Sequence, residues 1–369
     1  MPCTMHTRNS TAIFSDAEWD ARYNERLRIG SAVFLIIVGC MSVVGNAVTF
    51  AALINYRRLR NPTTVFVINL AVSDFLFALI TTPLTAVWCL SDDRLWIWRH
   101  VGCRFYVYSG HVLASVSLCS MAAIAVTRLI IIIKKRPTTS KLIDWKAIKA
   151  GLIFCWLFPA IALSAPLLGL WGDMGVNVNS IGGCTFLPTP AHNSPRKTIY
   201  VVGILVPVFS IGMCYGAIFF IVWRTRARIP ILAARRPSDT RFMTMVRSRG
   251  WSVESVEDVE PTDEGCFPRR LNSVRNFARV VFGVEWHLTQ MMGVTYVTLL
   301  VCYIPIVCYE IVHPNNCDAS LNVVVTVLVW VSGSLNPIIY TIMSRQFRKA
   351  YASLLEKVIH RINHCVRVI

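Results

Sequence analysis

The chain has 369 residues, of which 54% are hydrophobic and only 15% are charged, and its formal net charge is +17. A water-soluble protein of this length carries more charge, so an ordinary soluble domain is excluded. The apolar residues come in long uncharged blocks, which indicates a membrane protein and disfavours the short alternating strands of a β-barrel.

Seven apolar blocks are each long enough to supply the ~20 residues of a spanning helix. They are 29–55, 61–91, 105–133, 150–172, 198–223, 286–309 and 319–344. We therefore predict an all-α membrane protein, a seven-transmembrane helix bundle with a short amphipathic eighth helix. Residues 1–29 would be an extracellular arm and 30–343 the bundle, with a long cytoplasmic loop at 225–285. Residues 344–369 would form the amphipathic helix and a short tail.

Lysine and arginine predict the orientation of the bundle. Four segments, 56–63, 134–149, 224–285 and 344–369, hold 27 of the 37 basic residues, and such segments stay in the cytoplasm. The N-terminus is then extracellular, the C-terminus cytoplasmic, and the chain a multi-pass plasma-membrane protein. The net positive charge indicates contact with inner-leaflet lipids, not with nucleic acid. Asn9 begins an Asn-Ser-Thr glycosylation sequon on the outer side.

Span two contains an acid, Asp74, 12 residues from its basic cytoplasmic end. A carboxylate at that depth is costly and therefore indicates a functional site. Oxygens clustered around one carboxylate suit a hard monovalent cation or a proton. The alternative is a protonated, hydrogen-bonded structural aspartic acid. Polar residues on other spans are its predicted partners: Asn46, Ser117, Ser332 and Asn336.

Span three places Cys103 and Arg128 25 residues apart. At 1.5 Å per residue that separation is about 37 Å, close to the thickness of a bilayer with its interfaces. One helix thus carries a cysteine at the outer face and an arginine at the inner face. An arginine that only snorkels to the interface is the competing interpretation.

Outward-facing cysteines are expected at Cys3, Cys103, Cys184 and Cys317, and an extracellular pair is chemically reasonable. A bond from Cys184 to Cys103 would tie the outer loop 173–197 over the bundle, although two unpaired thiols are the alternative. On the inner side, Pro305 is expected to bend span six. Glu285 lies 20 residues before Pro305, at about the depth of Arg128.

Together these features resemble the rhodopsin-like (class A) G-protein-coupled receptors over about residues 30–355. The residues that carry the resemblance are Asn46, the segment 70–74, Cys103, Arg128, Trp156, Pro207, Tyr215, Pro305 and the Asn-Pro-Ile-Ile-Tyr segment 336–340. The resemblance implies a receptor that binds an extracellular ligand and activates a heterotrimeric G protein by outward movement of helix six. Arrestin and receptor kinases are further implied partners.

The resemblance also assigns roles to residues. It implies a disulfide between Cys103 and Cys184, and it makes Arg128 the residue that meets the G protein. An allosteric sodium ion is the one small-molecule cofactor it suggests, at Asp74, Ser117, Ser332 and Asn336. The residues of the coupling and switch region are Thr127, Arg128, Tyr215, Glu285, Tyr303, Pro305, Asn336, Pro337 and Tyr340.

Three positions depart from the family pattern. Thr127 replaces the usual acid before Arg128, which removes one restraint on the arginine and predicts raised basal activity. Glu285 matches the second restraint and is expected to compensate. Tyr303 replaces the usual tryptophan of span six, and Gly333 supplies no side-chain oxygen to the sodium pocket.

The sequence limits the class of ligand. Gly110 stands where amine receptors carry an acid, and span seven lacks the lysine that binds retinal in opsins, so neither a biogenic amine nor retinal is expected. An aromatic, weakly charged pocket suggests a small amphipathic or lipid-like ligand, with a peptide as the alternative. The predicted pocket residues are Tyr106, Gly110, His111, Tyr200, Tyr303, Glu310, Asn322 and Trp330.

The segment 166–184 is similar to the moody and trapped-in-endoderm group of insect orphan receptors, which resembles melatonin receptors. Two other function classes remain. A weakly signalling receptor-like scaffold is favoured by Thr127 and Tyr303, and a transporter is disfavoured because membrane-embedded polar groups are few. No nucleophile–base set, phosphate loop or metal-ligand cluster stands out, so an enzyme is not expected.

Overall fold

The computed structural model describes residues 25–56, 61–90, 101–134, 145–176, 184–188, 195–234, 290–291, 293–312 and 319–368. Seven helices in this part of the chain are long and apolar enough to cross a membrane, as predicted. In chain order the elements are α1 Glu25–Asn55, α2 Pro62–Leu90, α3 Val101–Lys134, α4 Trp145–Leu167, β1 Asp173–Val176, β2 Cys184–Leu187, α5 Arg196–Ala234, α6 Gly293–Val312, α7 Ala319–Met343 and α8 Arg345–Val368.

Buried polar side chains fix the order of the helices, because a polar group in hydrocarbon needs a partner on another helix. Asn69 of α2 is the clearest case. Its amide nitrogen donates to Ser120 of α3 at 2.8 Å, and its carbonyl oxygen accepts from the indole of Trp156 in α4 at 2.9 Å. One amide therefore joins three helices in the middle of the bundle.

The outer loop between α4 and α5 contains a short β-hairpin, which the sequence did not predict. β1 and β2 are antiparallel, with Asp173 opposite Leu187 and Val176 opposite Cys184. Gly172 precedes β1 with φ of 72°, where a side chain would also collide with Pro195. Glycine is therefore required at this turn. Four-residue strands are too short to show a periodic pattern, so the sequence indicated only a loop.

The eighth helix is longer than predicted. α8 has 24 residues, whereas the sequence indicated a short helix and a tail. In the first turn of α8, the Arg348 guanidinium donates to the carbonyl oxygen of Ile342, at the end of α7, at 2.8 Å. This bond joins the start of α8 to α7. Tyr351 bonds Thr49 of α1 through the two hydroxyl groups at 3.0 Å, and burial there raises the pKa of Tyr351. Apolar side chains continue along its exposed face, at Leu355, Val358, Ile359 and Ile362.

Candidate ligand cavity and switch region

A cavity of about 360 Å³ lies in the outer half of the bundle. Helices α3 to α7 and strand β2 supply its walls, with two residues from α2. Seven of the eight predicted pocket residues line it: Tyr106, Gly110, His111, Tyr200, Tyr303, Asn322 and Trp330. The eighth, Glu310, does not line the cavity and instead pairs with Arg196, a residue of the cavity wall. A cavity of this size is in the range of small-molecule sites.

Strand β2 covers the outer side of this cavity. Cys184 forms a disulfide with Cys103 at the top of α3, with 5.6 Å between their Cα atoms. Cys184 and Thr185 both line the cavity and are almost fully buried. Arg104 also donates to Asp173 of β1 at 3.0 Å, so the hairpin is attached to α3 by a covalent bond and an ion pair.

Two hydrogen bonds orient His111, which projects from α3 into the cavity. Its Nδ1 lies 2.8 Å from the carbonyl oxygen of Val107, and its Nε2 lies 3.0 Å from the hydroxyl of Tyr200 on α5. The ring also meets Phe186 of β2 edge-on, with 4.7 Å between ring centroids. His111 thus connects α3, α5 and the covering strand.

A buried ion pair joins α5 to α6 at the outer end of the cavity. Arg196 donates to Glu310 at 2.6 Å, and the two side chains are only 6% and 1% exposed. Arg196 lines the cavity, and its guanidinium also lies over the ring of Tyr200 at 5.9 Å. Arg196 was not among the residues predicted from the sequence. The sequence feature that could have indicated this pair is an arginine and a glutamate at the outer ends of spans five and six.

Asp74 is 4% exposed at mid-membrane and accepts hydrogen bonds from α7 and α3. The Asn336 amide donates to it at 2.9 Å, and the Ser117 hydroxyl is its second side-chain partner. Asn46 is nearby but donates instead to the carbonyl of Gly333 at 3.1 Å. A Cβ on Gly333 would lie 3.5 Å from the Asp74 carboxyl carbon, so the missing side chain leaves space beside the acid.

Part of the predicted switch region lies at the inner end of the bundle, whereas Tyr303 lines the outer cavity. Thr127 is buried and Arg128 is partly exposed at the end of α3. Tyr215 of α5 and Tyr340 of α7 line a small void of about 10 Å³, the space of a single water molecule. Glu285 and the glycosylation candidate Asn9 lie outside the described residues.

The comparison with known protein families decides the class of the chain. Residues 45–340 match the family described as 7 transmembrane receptor (rhodopsin family). The chain belongs to the rhodopsin family of seven-transmembrane receptors. It is thus a multi-pass membrane protein, and the match includes Asp74, Arg128, Asn336 and Tyr340 within its bounds.

This rhodopsin-family receptor is similar to the two insect receptors expected from its sequence. It is 30% identical to Protein trapped in endoderm-1 of Drosophila melanogaster, covering 88% of this chain and 75% of that protein. It is 25% identical to G-protein coupled receptor moody of the same species, covering 90% of this chain. The chain spans about half the length of moody, 52%. The predicted subfamily is therefore confirmed.

The fold also matches a solved rhodopsin structure. The crystal structure of squid rhodopsin aligns with a TM-score of 0.70 at 20% identity, covering 95% of this receptor and 92% of the rhodopsin chain. At 20% sequence identity, this match shows a similar fold and nothing about function. The receptor's α7, Ala319–Met343, contains no lysine, so the residue that would bind retinal in an opsin is missing from this helix.

The residues around Asp74 fit a sodium ion by their chemistry. One carboxylate with neutral oxygen donors suits a hard monovalent cation better than a transition metal. No cluster of three or more His, Cys, Asp or Glu side chains occurs among the described residues. Asp74, Ser117 and Asn336 lie together, whereas Ser332 is buried in α7 and the structure shows no hydrogen bond from it to Asp74.

Proposed function

We propose that this receptor binds a ligand in the outer cavity and activates a heterotrimeric G protein by outward movement of α6. The observation that carries the proposal is the arrangement of α3. Its outer half supplies Tyr106 and His111 to the cavity, and its inner end carries Arg128. A change in the cavity and the surface that meets a G protein are therefore connected by one continuous helix.

Helix α6 has the features needed to transmit such a change. Tyr303 lines the cavity, and Pro305 lies two residues further along the same helix. A proline inside a helix leaves a carbonyl without its usual partner and weakens the helix locally. Contact between a ligand and Tyr303 would thus act beside this weakened point of the helix. Toward the cytosol, Tyr296 packs near Tyr215 of α5 with 6.3 Å between ring centroids.

The replacement of an acid by Thr127 bears on the inactive state. Threonine cannot neutralise a neighbouring guanidinium, so the restraint on Arg128 comes from other groups. We propose that Glu285 supplies it from the base of span six and that basal activity is raised relative to receptors with an acid at this position. Loss of Glu285 would then raise basal activity further.

The remaining features of the proposal concern ions, partners and orientation. A sodium ion held by Asp74, Ser117, Ser332 and Asn336 would favour the inactive state. The N-terminus would be extracellular, with a glycan on Asn9, and arrestin and receptor kinases would bind the cytoplasmic side. Membrane lipids would contact α8, whose exposed apolar face suits a bilayer surface.

Nucleotide exchange on a purified G protein tests the proposed activity. Arg128→Ala in the full chain should abolish basal exchange while surface expression is retained. Lys149→Ala is the matched control, because it removes an exposed positive charge near the cytoplasmic end of α4 and should leave exchange intact. Equal exchange in wild type and Arg128→Ala would contradict the proposal.

A weakly signalling scaffold is the second candidate function, and the two replacements at Thr127 and Tyr303 favour it. The same experiment separates the two. If basal exchange is absent in wild type, Tyr303→Trp should create it in a receptor whose switch was lost, whereas Thr127→Glu would add a restraint on Arg128 and should not. If the wild type already drives exchange, the scaffold interpretation is wrong.

A further inference from the structure

The wall of the cavity between α4 and α5 is open toward the membrane. Seven described residues that line the cavity are exposed, and six of them lie on α4 and α5 within membrane-spanning segments: Phe158, Ala162, Thr198, Val202, Gly203 and Val206. The three large ones, Phe158, Val202 and Val206, are apolar and 54%, 52% and 58% exposed, whereas Thr198 and the seventh residue, Trp171, lie nearer the outer side. A side chain that faces both a cavity and the lipid marks a gap in the wall that separates them.

Gly203 lies in this gap. It lines the cavity, and a Cβ built on it would meet nothing within 4 Å. Helix α3 packs closely against both α4 and α5, whereas α4 and α5 are not extensively packed against each other. The gap is therefore a feature of the helix arrangement and does not depend on one side-chain rotamer.

Two other parts of the cavity wall are held by a strand and by an ion pair. Strand β2 lies across the outer side and is held by the disulfide from Cys184. The buried Arg196–Glu310 pair closes the outer junction of α5 and α6. The exposed side between α4 and α5 lies within the spans and faces lipid, so a molecule that uses it must be soluble in the bilayer.

The charges around the cavity define the head group of such a molecule. Among the described lining residues, Arg196 is the one Lys, Arg, Asp or Glu, and Glu310 already neutralises it. An ionic ligand would therefore add an uncompensated charge to a buried site, which is expensive. The residues that line the cavity therefore favour a ligand with an uncharged head group.

At Tyr200, a head group that binds would have to donate a hydrogen bond. Because Nδ1 of His111 faces a carbonyl oxygen, which only accepts, Nδ1 carries the proton of the neutral ring and Nε2 accepts from Tyr200. The Tyr200 oxygen has then used its proton but keeps acceptor capacity. A hydroxyl or amide N–H group of a ligand fits it, whereas an ionised carboxylate does not.

We propose that an uncharged single-chain amphiphile with a hydroxyl or amide head reaches the cavity from the bilayer through the gap between α4 and α5. This inference names the ligand class and route for the proposed receptor site and rests on that proposed function. The chain would cross the gap beside Gly203, and the head would reach Tyr200.

The test uses the full chain in phosphatidylcholine nanodiscs and a photoreactive monoacylglycerol, with a fatty acid of the same chain as the matched probe. Labelling of cavity peptides is followed over time. Gly203→Phe fills the gap and should slow labelling by roughly one decade, within the range seen for association rates among related complexes. Gly216→Phe is the control, because Gly216 is exposed on the same helix, does not line the cavity and has open space around it.

Tyr200→Phe tests the head group. It should lower the final level of monoacylglycerol labelling and leave the weaker fatty-acid labelling unchanged. Equal rates in wild type and Gly203→Phe would overturn the route, and fatty-acid labelling that matches or exceeds monoacylglycerol labelling would overturn the ligand class. Labelling does not require a G protein, so these outcomes are separate from a failure of nucleotide exchange, which would instead contradict the proposed function.

Discussion

Two acids, Glu310 at the outer end of the bundle and Asp74 at its middle, are both almost fully buried but are stabilised differently. Glu310 receives a full opposite charge from Arg196 at 2.6 Å. Asp74 receives only neutral hydrogen bonds, from the amide of Asn336 at 2.9 Å and from Ser117. One carboxylate is neutralised by a charged side chain, and the other has neutral hydrogen-bond partners in the described part of the chain.

The two acids therefore join their helices with different strength. The outer pair connects α5 to α6, and separating it would expose two opposite charges to a nonpolar environment, which is costly. The Asp74 centre connects α2, α3 and α7 through bonds of modest strength. The outer pair therefore joins α5 to α6 more firmly than the Asp74 centre joins its three helices.

The largest effect is expected from removing the counter-charge of Glu310. Arg196→Met leaves a buried carboxylate without its partner and should cost about 3–5 kcal/mol of stability. Arg104→Met is the matched control, because Arg104 also pairs with an acid but is 41% exposed, and exposed pairs contribute about 0–1 kcal/mol. Thermal unfolding in nanodiscs measures both. Equal losses in the two variants would remove the distinction between a buried and an exposed pair.

A second variant tests whether the loss comes from the unpaired charge. The double substitution Arg196→Met with Glu310→Leu removes both charges and keeps most of the volume. Replacement of a buried pair by apolar residues is often neutral or stabilising by about 1–4 kcal/mol, so the double variant should be clearly more stable than Arg196→Met alone. Additive losses would show that packing, not charge, explains the first result.

The sequence predicted the helices of this fold well, because hydropathy and length are the properties that a bilayer selects. It predicted less of the cavity. Seven pocket positions face it as expected, but Glu310 turns away from it toward Arg196. Which way a polar residue points depends on a partner from another helix, and periodicity within one helix does not reveal that partner.

Other features were hidden for related reasons. Gly203 gave no signal as one glycine in an apolar span, since its importance lies in what surrounds it and not in its own chemistry. The β-hairpin was missed because each strand has four residues. Lengths and spacings are local, whereas gaps and pairings arise only when helices come together.

The Asp74 centre should show a smaller stability change and a specific ion response. Asp74→Asn keeps the shape of the side chain and alters hydrogen bonds that contribute about 0.5–1.5 kcal/mol each, so the loss should be of that order. Because an ion that binds the folded state raises stability by mass action, replacing choline chloride with sodium chloride should stabilise wild type. The variant should not respond. A sodium response that persists in Asp74→Asn would place the ion elsewhere.

The smallest change is expected from adding one oxygen beside this acid. Gly333→Ser fits, since its Cβ would lie 3.5 Å from the Asp74 carboxyl carbon, and serine gains up to about 0.5 kcal/mol over glycine in a helix. Its hydroxyl adds an oxygen ligand, so the sodium response should begin at a lower concentration. Gly333→Ala shares the helix effect without the oxygen. If serine and alanine respond alike, the added hydroxyl does not bind the ion. The side-chain partners of Asp74 would then be Asn336 and Ser117 alone.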